Sequence, residues 1–252
     1  MPDIMPNIDL KGSEKTPEIN IELLKRELGL FSNLLGRRIE LVLDEKIDTA
    51  ATDCKTKIRL NPHSAIVTDN DIARALLQHE QAHNFGGTNM EVAEKLKEDY
   101  AEQAKTVPGL PDVIENVYNI LEDYRVEHIW QTLFRGSQRN FSKLYKNAME
   151  HLKTQAKAEG VTDPVSALLI ARFGLSGKSI ELEPMIAPEM RETYKKLASE
   201  LKKLESKDWT ATYVIAKNVV NEVLKYVKEK EPGQQKSAVD KMNQVAKSAY
   251  VE

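Results

Sequence analysis

The sequence predicts an α+β fold that is predominantly α, with a small N-terminal β-sheet and a helical C-terminal part. Two observations lead to this prediction. From residue 69 onward, apolar residues recur at helical spacing through most of the chain. Before that point, the segments Arg38–Leu43 and Thr56–Leu60 alternate polar and apolar residues as strands do.

The order of the predicted elements starts with a polar, proline-containing segment at residues 1–16, which we expect to be a disordered arm. A helix with apolar residues at Leu24, Leu28 and Phe31 follows and ends at Gly36. The two strands come next. Further helices are predicted over residues 69–85, 89–105, 111–135, 139–158, 163–173, 187–205 and 208–230.

A stretch rich in glycine and proline, residues 174–188, separates the earlier helices from the last ones. It predicts a boundary between a metal-binding domain at residues 17–175 and a helical C-terminal subdomain at residues 176–252. The second part carries no ligand-binding motif. Its amphipathic helices are expected to form core or to bind a protein partner.

The composition argues against several classes of function. A net charge of −3 and a pI near 6.1 provide no basic surface for nucleic acid or for an anionic membrane. No apolar run is long enough to span a bilayer, and the N-terminus lacks the features of a signal peptide. A single cysteine, Cys54, fits a reducing compartment, so we expect a cytoplasmic protein.

One motif specifies a chemistry. Residues His79–His83 read H-E-x-x-H within the helix predicted over 69–85. On a helix, residues four apart lie on one face, so both imidazoles could bind one Zn²⁺. Glu80 would then point at the attacking water as general base. The motif therefore predicts a hydrolytic zinc site.

The third ligand of such a site has two candidate sources. Asn89 occupies the last place of a metzincin-like pattern, H-E-x-x-H-x-x-G-x-x-N, but a neutral amide oxygen is a poor zinc ligand. The second source is the acidic run in the helix predicted over 111–135. There Glu122 is the preferred ligand, with Asp123 and then Glu127 as alternatives.

The same acidic run allows other roles. Asp123 and Glu127 could instead accept the ring N–H of a histidine ligand or neutralise Arg125. The run could also be an ordinary charged helix face whose residues pair with one another in water. An intact H-E-x-x-H motif earlier in the chain favours the metal interpretation.

Three segments together resemble a known family. These are Ala50–Pro62, the HEQAH motif, and residues 119–127, which read NILEDYRVE. They are similar to the metallopeptidase-like domain that precedes a von Willebrand A domain in cobaltochelatase-T-like proteins. The resemblance covers about residues 38–135. The chain has no D-x-S-x-S motif, and Cys54 stands where that family has a glycine.

The resemblance implies a zincin fold of the gluzincin type, with Glu122 as the third zinc ligand. The expected function is therefore that of a zinc-dependent metallopeptidase, a hydrolase acting on a peptide or protein substrate. The alternative is a non-catalytic zincin-like module that binds metal and acts in protein–protein interaction. Replacing Glu80 would distinguish the two, because only a peptidase needs its carboxylate.

Overall fold

The computed structural model describes residues 19–177, 183–204 and 209–250. The expected fold class is confirmed, since the described chain is mostly helical and carries a small mixed sheet. The strands are β1 (Glu40–Leu43), β2 (Ala50–Thr52) and β3 (Lys57–Leu60). The arm predicted at residues 1–16 lies outside the described residues. The helices are α1 (Ile21–Leu35), α2 (Asn70–Gly86), α3 (Glu91–Asp99), α4 (Ala101–Thr106), α5 (Leu110–Leu133), α6 (Gln138–Glu159), α7 (Pro164–Gly177), α8 (Arg191–Lys202), α9 (Trp209–Lys228) and α10 (Pro232–Tyr250).

The sheet has the strand order β1-β3-β2. Strand β3 pairs in parallel with β1 and antiparallel with β2, so it lies at the centre. Because β3 is the central strand, residues 57–60 offer no free sheet edge to which a substrate could add. Strand β2 is an edge strand of this sheet. Its three residues are too few and too rich in alanine to show a strand pattern.

The turn from β2 to β3 is held by Asp53. Its Oδ1 accepts hydrogen bonds from the backbone N–H of Lys55 at 2.8 Å and of Thr56 at 2.7 Å. Burial alone would raise the pKa of Asp53, but these backbone donors lower it well below its usual range. Cys54 adopts φ +55°, a left-handed conformation that a glycine takes without strain.

Helix α2 carries the H-E-x-x-H motif, and both of its ends are determined locally. The side chain of Asp69 accepts from the backbone N–H of Ile72, and Gly87 ends the helix with φ +67°. At the C-terminal end, Gly86 lies against α5, because a Cβ there would come within 2.7 Å of the Val126 side chain. This close approach brings the motif against the acidic run of α5.

Helix α5 lies at the centre of the molecule. It packs against α2, α3, α7, α9 and α10, and residues on all of its sides are buried. One hydrophobic core runs from Leu24 on α1 to Ala246 on α10, and the apolar face of α9 is part of it. The boundary predicted between residues 175 and 176 falls in the last turn of α7. The helical C-terminal part therefore contributes to the environment of α5.

The helix predicted over 89–105 is two helices, α3 and α4, which meet at Tyr100. Tyr100 is buried there, and its hydroxyl donates to the backbone oxygen of Lys217 at 3.0 Å. A contact with α9 thus fixes the break. Within the described ranges, no helix combines the length and the apolar character needed to cross a membrane.

Candidate metal centre

The two motif histidines lie side by side on α2. Their Nε2 atoms are 3.2 Å apart. The Nδ1 atom of His79 is 2.8 Å from Oε1 of Glu127, and that of His83 is 2.9 Å from the hydroxyl of Thr88. With each Nδ1–H donated to its acceptor, both Nε2 atoms keep a free lone pair for a metal ion.

Asp123 of α5 completes a group that could hold a metal ion. Its Oδ1 lies 3.1 Å from Nε2 of His83 and 3.8 Å from Nε2 of His79. Zinc bonds of about 2.0–2.2 Å in a tetrahedron would separate neighbouring ligand atoms by about 3.3–3.6 Å. The three separations in this site are 3.1, 3.2 and 3.8 Å, which lie on both sides of that range. One tetrahedral ion therefore fits between the three ligand atoms.

Glu122, the preferred third ligand from the sequence, is not brought to the two Nε2 atoms. It is buried and accepts hydrogen bonds from Nε of Arg125 at 2.8 Å and from the hydroxyl of Thr212 at 3.1 Å. It also accepts from the hydroxyl of Thr88 at 2.8 Å. Because Thr88 in turn contacts His83, Glu122 acts on the site through a hydrogen-bonded chain.

The other sequence candidate, Asn89, is also engaged elsewhere. Its side-chain oxygen accepts from the backbone N–H of Glu91 at the start of α3. Its backbone oxygen accepts from the hydroxyl of Tyr118 at 2.8 Å. Asn89 therefore orders the loop between α2 and α3.

Glu127 and Arg172 orient the residues of the candidate metal-binding group. Arg172 of α7 contacts Oδ2 of Asp123 at 3.2 Å and Oε1 of Glu127 at 3.0 Å. The hydroxyl of Tyr145 donates to Oε2 of Glu127 at 2.8 Å. These bonds orient Asp123 directly and His79 through Glu127, as required of residues that support metal ligands.

Glu80 differs from the other three carboxylates. It lines the same cavity as the histidines and is only 6% exposed, yet no described residue donates a hydrogen bond to its carboxylate. Glu122, Asp123 and Glu127 each have such partners. Burial raises the pKa of Glu80 above its ordinary value. The arrangement leaves Glu80 available to exchange a proton inside the cavity.

The buried carboxylates of the site outnumber the buried arginines. Two buried arginines, Arg125 and Arg172, face four buried carboxylates, so a proton on His79 or a bound cation can supply further positive charge. Burial alone would lower the pKa of His79, but the carboxylates of Asp123 and Glu127 outweigh burial and raise it to about 9. The pocket therefore favours a positive charge at this point. The carboxylates belong to Glu80, Glu122, Asp123 and Glu127.

A cavity of about 240 Å³ opens above these groups. Strand β2 borders it through Ala50 and Thr52, and helices α2, α5, α6 and α7 and the loops beside them form its remaining walls. The site is thus a buried cluster with room for a ligand beside it. No family model, curated protein or solved structure matches the chain.

Three supporting residues were not predicted: Thr88, Tyr145 and Arg172. Arg172 had a usable signal, because it is a single charge within the apolar run of α7, and a buried arginine requires a partner. Thr88 and Tyr145 had none, since threonine and tyrosine occur commonly at helix ends and in cores. Their roles depend on the packing of α6 and of the loop after α2.

The thiol of Cys54, which also lines the cavity, is expected to resist alkylation. Burial and the nearby charge of Glu80 raise the pKa of Cys54 to about 12. At pH 8 the metal-free native protein should react with iodoacetamide roughly a thousandfold more slowly than the unfolded chain, because the thiolate is the nucleophile. Mass spectrometry of timed samples measures both rates. Equal rates in the native and the urea-unfolded protein would contradict this prediction.

Proposed function

We propose that this protein is a zinc-dependent metallopeptidase in which His79, His83 and Asp123 bind zinc. Glu80 is the general base. One observation carries the proposal. Three ligand atoms lie at tetrahedral spacing beside the buried carboxylate of Glu80, to which no described residue donates a hydrogen bond. A purely structural zinc site does not require a buried carboxylate without a hydrogen-bond partner.

Zinc is the metal that suits this donor set. Two imidazole nitrogens and one carboxylate oxygen are typical ligands of catalytic zinc, which keeps a fourth position open. Among the described residues, the group contains three such ligands and no fourth. Structural zinc sites are normally closed by four protein ligands. The donor set therefore favours a catalytic zinc site over a structural one. It also favours a zincin fold in which the third zinc ligand is an aspartate.

The chemistry follows from the neighbours of the site. When bound, zinc supplies Lewis acidity, which makes water nucleophilic near neutral pH and polarises a carbonyl group. Glu80 accepts the proton of the attacking water and passes it to the leaving amine. Glu127 keeps Nε2 of His79 free by accepting a hydrogen bond from Nδ1–H, and Arg172 holds Asp123 in place.

Strand β2 supports a peptide as the substrate. Among the described residues it pairs only with β3, along one edge, and Thr49, Ala50 and Thr52 border the cavity. An extended peptide could add to the free edge of β2 by backbone hydrogen bonds. Such a peptide would run along the cavity that the two histidines also line.

Metal dependence tests the proposal. The full chain, stripped with a chelator and reloaded with one equivalent of zinc, should cleave a quenched fluorescent peptide library, and the stripped protein should not. Zinc at a thousandfold excess over its Kd should also stabilise the fold by about 4 kcal/mol, measured by urea unfolding.

The matched control is His63→Ala, which removes an exposed histidine outside the site and should change neither result. Zinc binding and stabilisation without cleavage would favour the non-catalytic module. Cleavage that persists in the stripped protein and in the variant His79→Ala would contradict the proposal.

A further inference from the structure

The cavity has two ends, which lie on either side of the metal-binding group. Helices α2 and α5 run antiparallel there, because His79 contacts Glu127 while His83 contacts Asp123. Residues that precede His79 on α2 therefore lie at the Glu127 end. Residues that follow His83 lie at the opposite end, near the start of α5.

The Glu127 end is lined by apolar side chains. They come from the loop before α2 and from helices α2, α6 and α7, and they are partly or fully buried. Strand β2 borders the same cavity. The apolar residues are Ile66, Leu76, Leu144, Ala148 and Phe173.

The polar groups at this end already bond to one another. Tyr145 donates to Oε2 of Glu127, and Arg172 contacts Oε1 of Glu127. A ligand group that enters here therefore contacts apolar side chains, and the charged groups beneath it are already paired with one another. A charged side chain would lose its hydration without gaining a specific partner, whereas an aliphatic or aromatic one would lose only its contact with water.

We infer that the Glu127 end is the specificity pocket of the proposed peptidase and takes one large uncharged apolar side chain of the substrate, next to the cleaved bond. The inference rests on the proposed function. Leucine, isoleucine, methionine and phenylalanine are the residue types it selects. Preference over glycine or alanine at that substrate position should be about 10–200-fold in kcat/KM, since it depends on a few methylene groups.

The first test is the cleavage profile of the zinc-loaded full chain on a peptide library, read by mass spectrometry. We expect the four large apolar residues to be enriched at one position beside the cleaved bond. The variant Ala148→Phe narrows the pocket and should shift that position toward glycine and alanine. Ala101→Phe, on the exposed face of α4, is the matched control and should leave the profile unchanged.

The second test separates the pocket from catalysis. Calorimetry measures the affinity of the zinc-loaded variant Glu80→Gln for leucine hydroxamate, glycine hydroxamate and aspartate hydroxamate. At least tenfold tighter binding of the leucine compound supports the pocket even where no peptide is cleaved. Cleavage without residue preference, or equal affinity for the three hydroxamates, overturns it while leaving the proposed peptidase activity intact.

Discussion

Replacing Glu80 by glutamine is expected to reduce peptide cleavage by the zinc-loaded protein about 10²–10⁴-fold, which is the usual contribution of a general base. The zinc content should stay at the wild-type level, because Glu80 is not among the three ligand atoms. The amide has nearly the shape of the carboxylate but cannot accept the proton. Since no described residue bonds to the Glu80 carboxylate, the replacement breaks no hydrogen bond.

The measurement is kcat/KM on one cleaved peptide, together with zinc content by elemental mass spectrometry on the same sample. Glu98→Gln is the matched control, because it makes the same change at an exposed position of α3. If Glu80→Gln retained wild-type turnover, the general-base role would be wrong. If both activity and zinc were lost, Glu80 would have to act on metal binding.

Asp123→Ala is expected to weaken zinc binding by more than the 10–100-fold that follows the loss of a residue supporting a ligand. Glu122→Gln should stay within that supporting range, because Glu122 reaches His83 only through Thr88. The second variant should instead lose stability, by about 3–5 kcal/mol, since it removes the carboxylate that pairs with the buried Arg125. The two adjacent residues are thus expected to have different roles: Asp123 binds zinc, and Glu122 stabilises the fold.

Competition with a chromophoric chelator measures the zinc affinity of both variants, and urea unfolding of the metal-free proteins measures their stability. Both comparisons are made at a temperature where each protein gives a native circular dichroism spectrum. Glu115→Gln, on the more exposed part of α5, is the matched control for a changed carboxylate. A larger loss of zinc affinity in Glu122→Gln than in Asp123→Ala would reverse the assignment of the third ligand.

Local signals explain why much of the fold could be predicted. Asp69 and Gly87 mark the ends of α2, and the helix found at 70–86 differs by one residue at each end from the predicted 69–85. Strands β1 and β3 carry the alternating pattern that predicted them. Strand β2 and the break at Tyr100 have no local signal. Each depends on a tertiary contact, β2 on its pairing with β3 and Tyr100 on α9.

The choice between Glu122 and Asp123 could not be made from the sequence for a geometric reason. Neighbouring residues on a helix point about 100° apart, so the ligand depends on how α5 is rotated about its axis. An amphipathic stripe would reveal that rotation, but α5 is buried on all sides. The rotation is fixed by contacts distant in sequence, including Arg172 with Asp123 and Thr212 with Glu122.

The pair of histidines was predictable because both lie on one helix at a spacing that helix geometry fixes. Their supports come from other elements. Glu127 was among the sequence candidates for such a role, while Arg172 and Tyr145 reach the site only because α6 and α7 pack beside α2 and α5. The two histidines and Glu127 could thus be predicted from the sequence, whereas Arg172 and Tyr145 could not.

Anomalous X-ray diffraction at the zinc absorption edge, from crystals of the protein reloaded with one equivalent of zinc, tests the central claim most directly. We expect one strong anomalous peak within about 2.0–2.2 Å of Nε2 of His79, Nε2 of His83 and Oδ1 of Asp123. Glu80 should face the fourth position without binding the ion. A peak bound by Glu122 in place of Asp123, or crystals of reloaded protein with no peak at the histidines, would contradict the account.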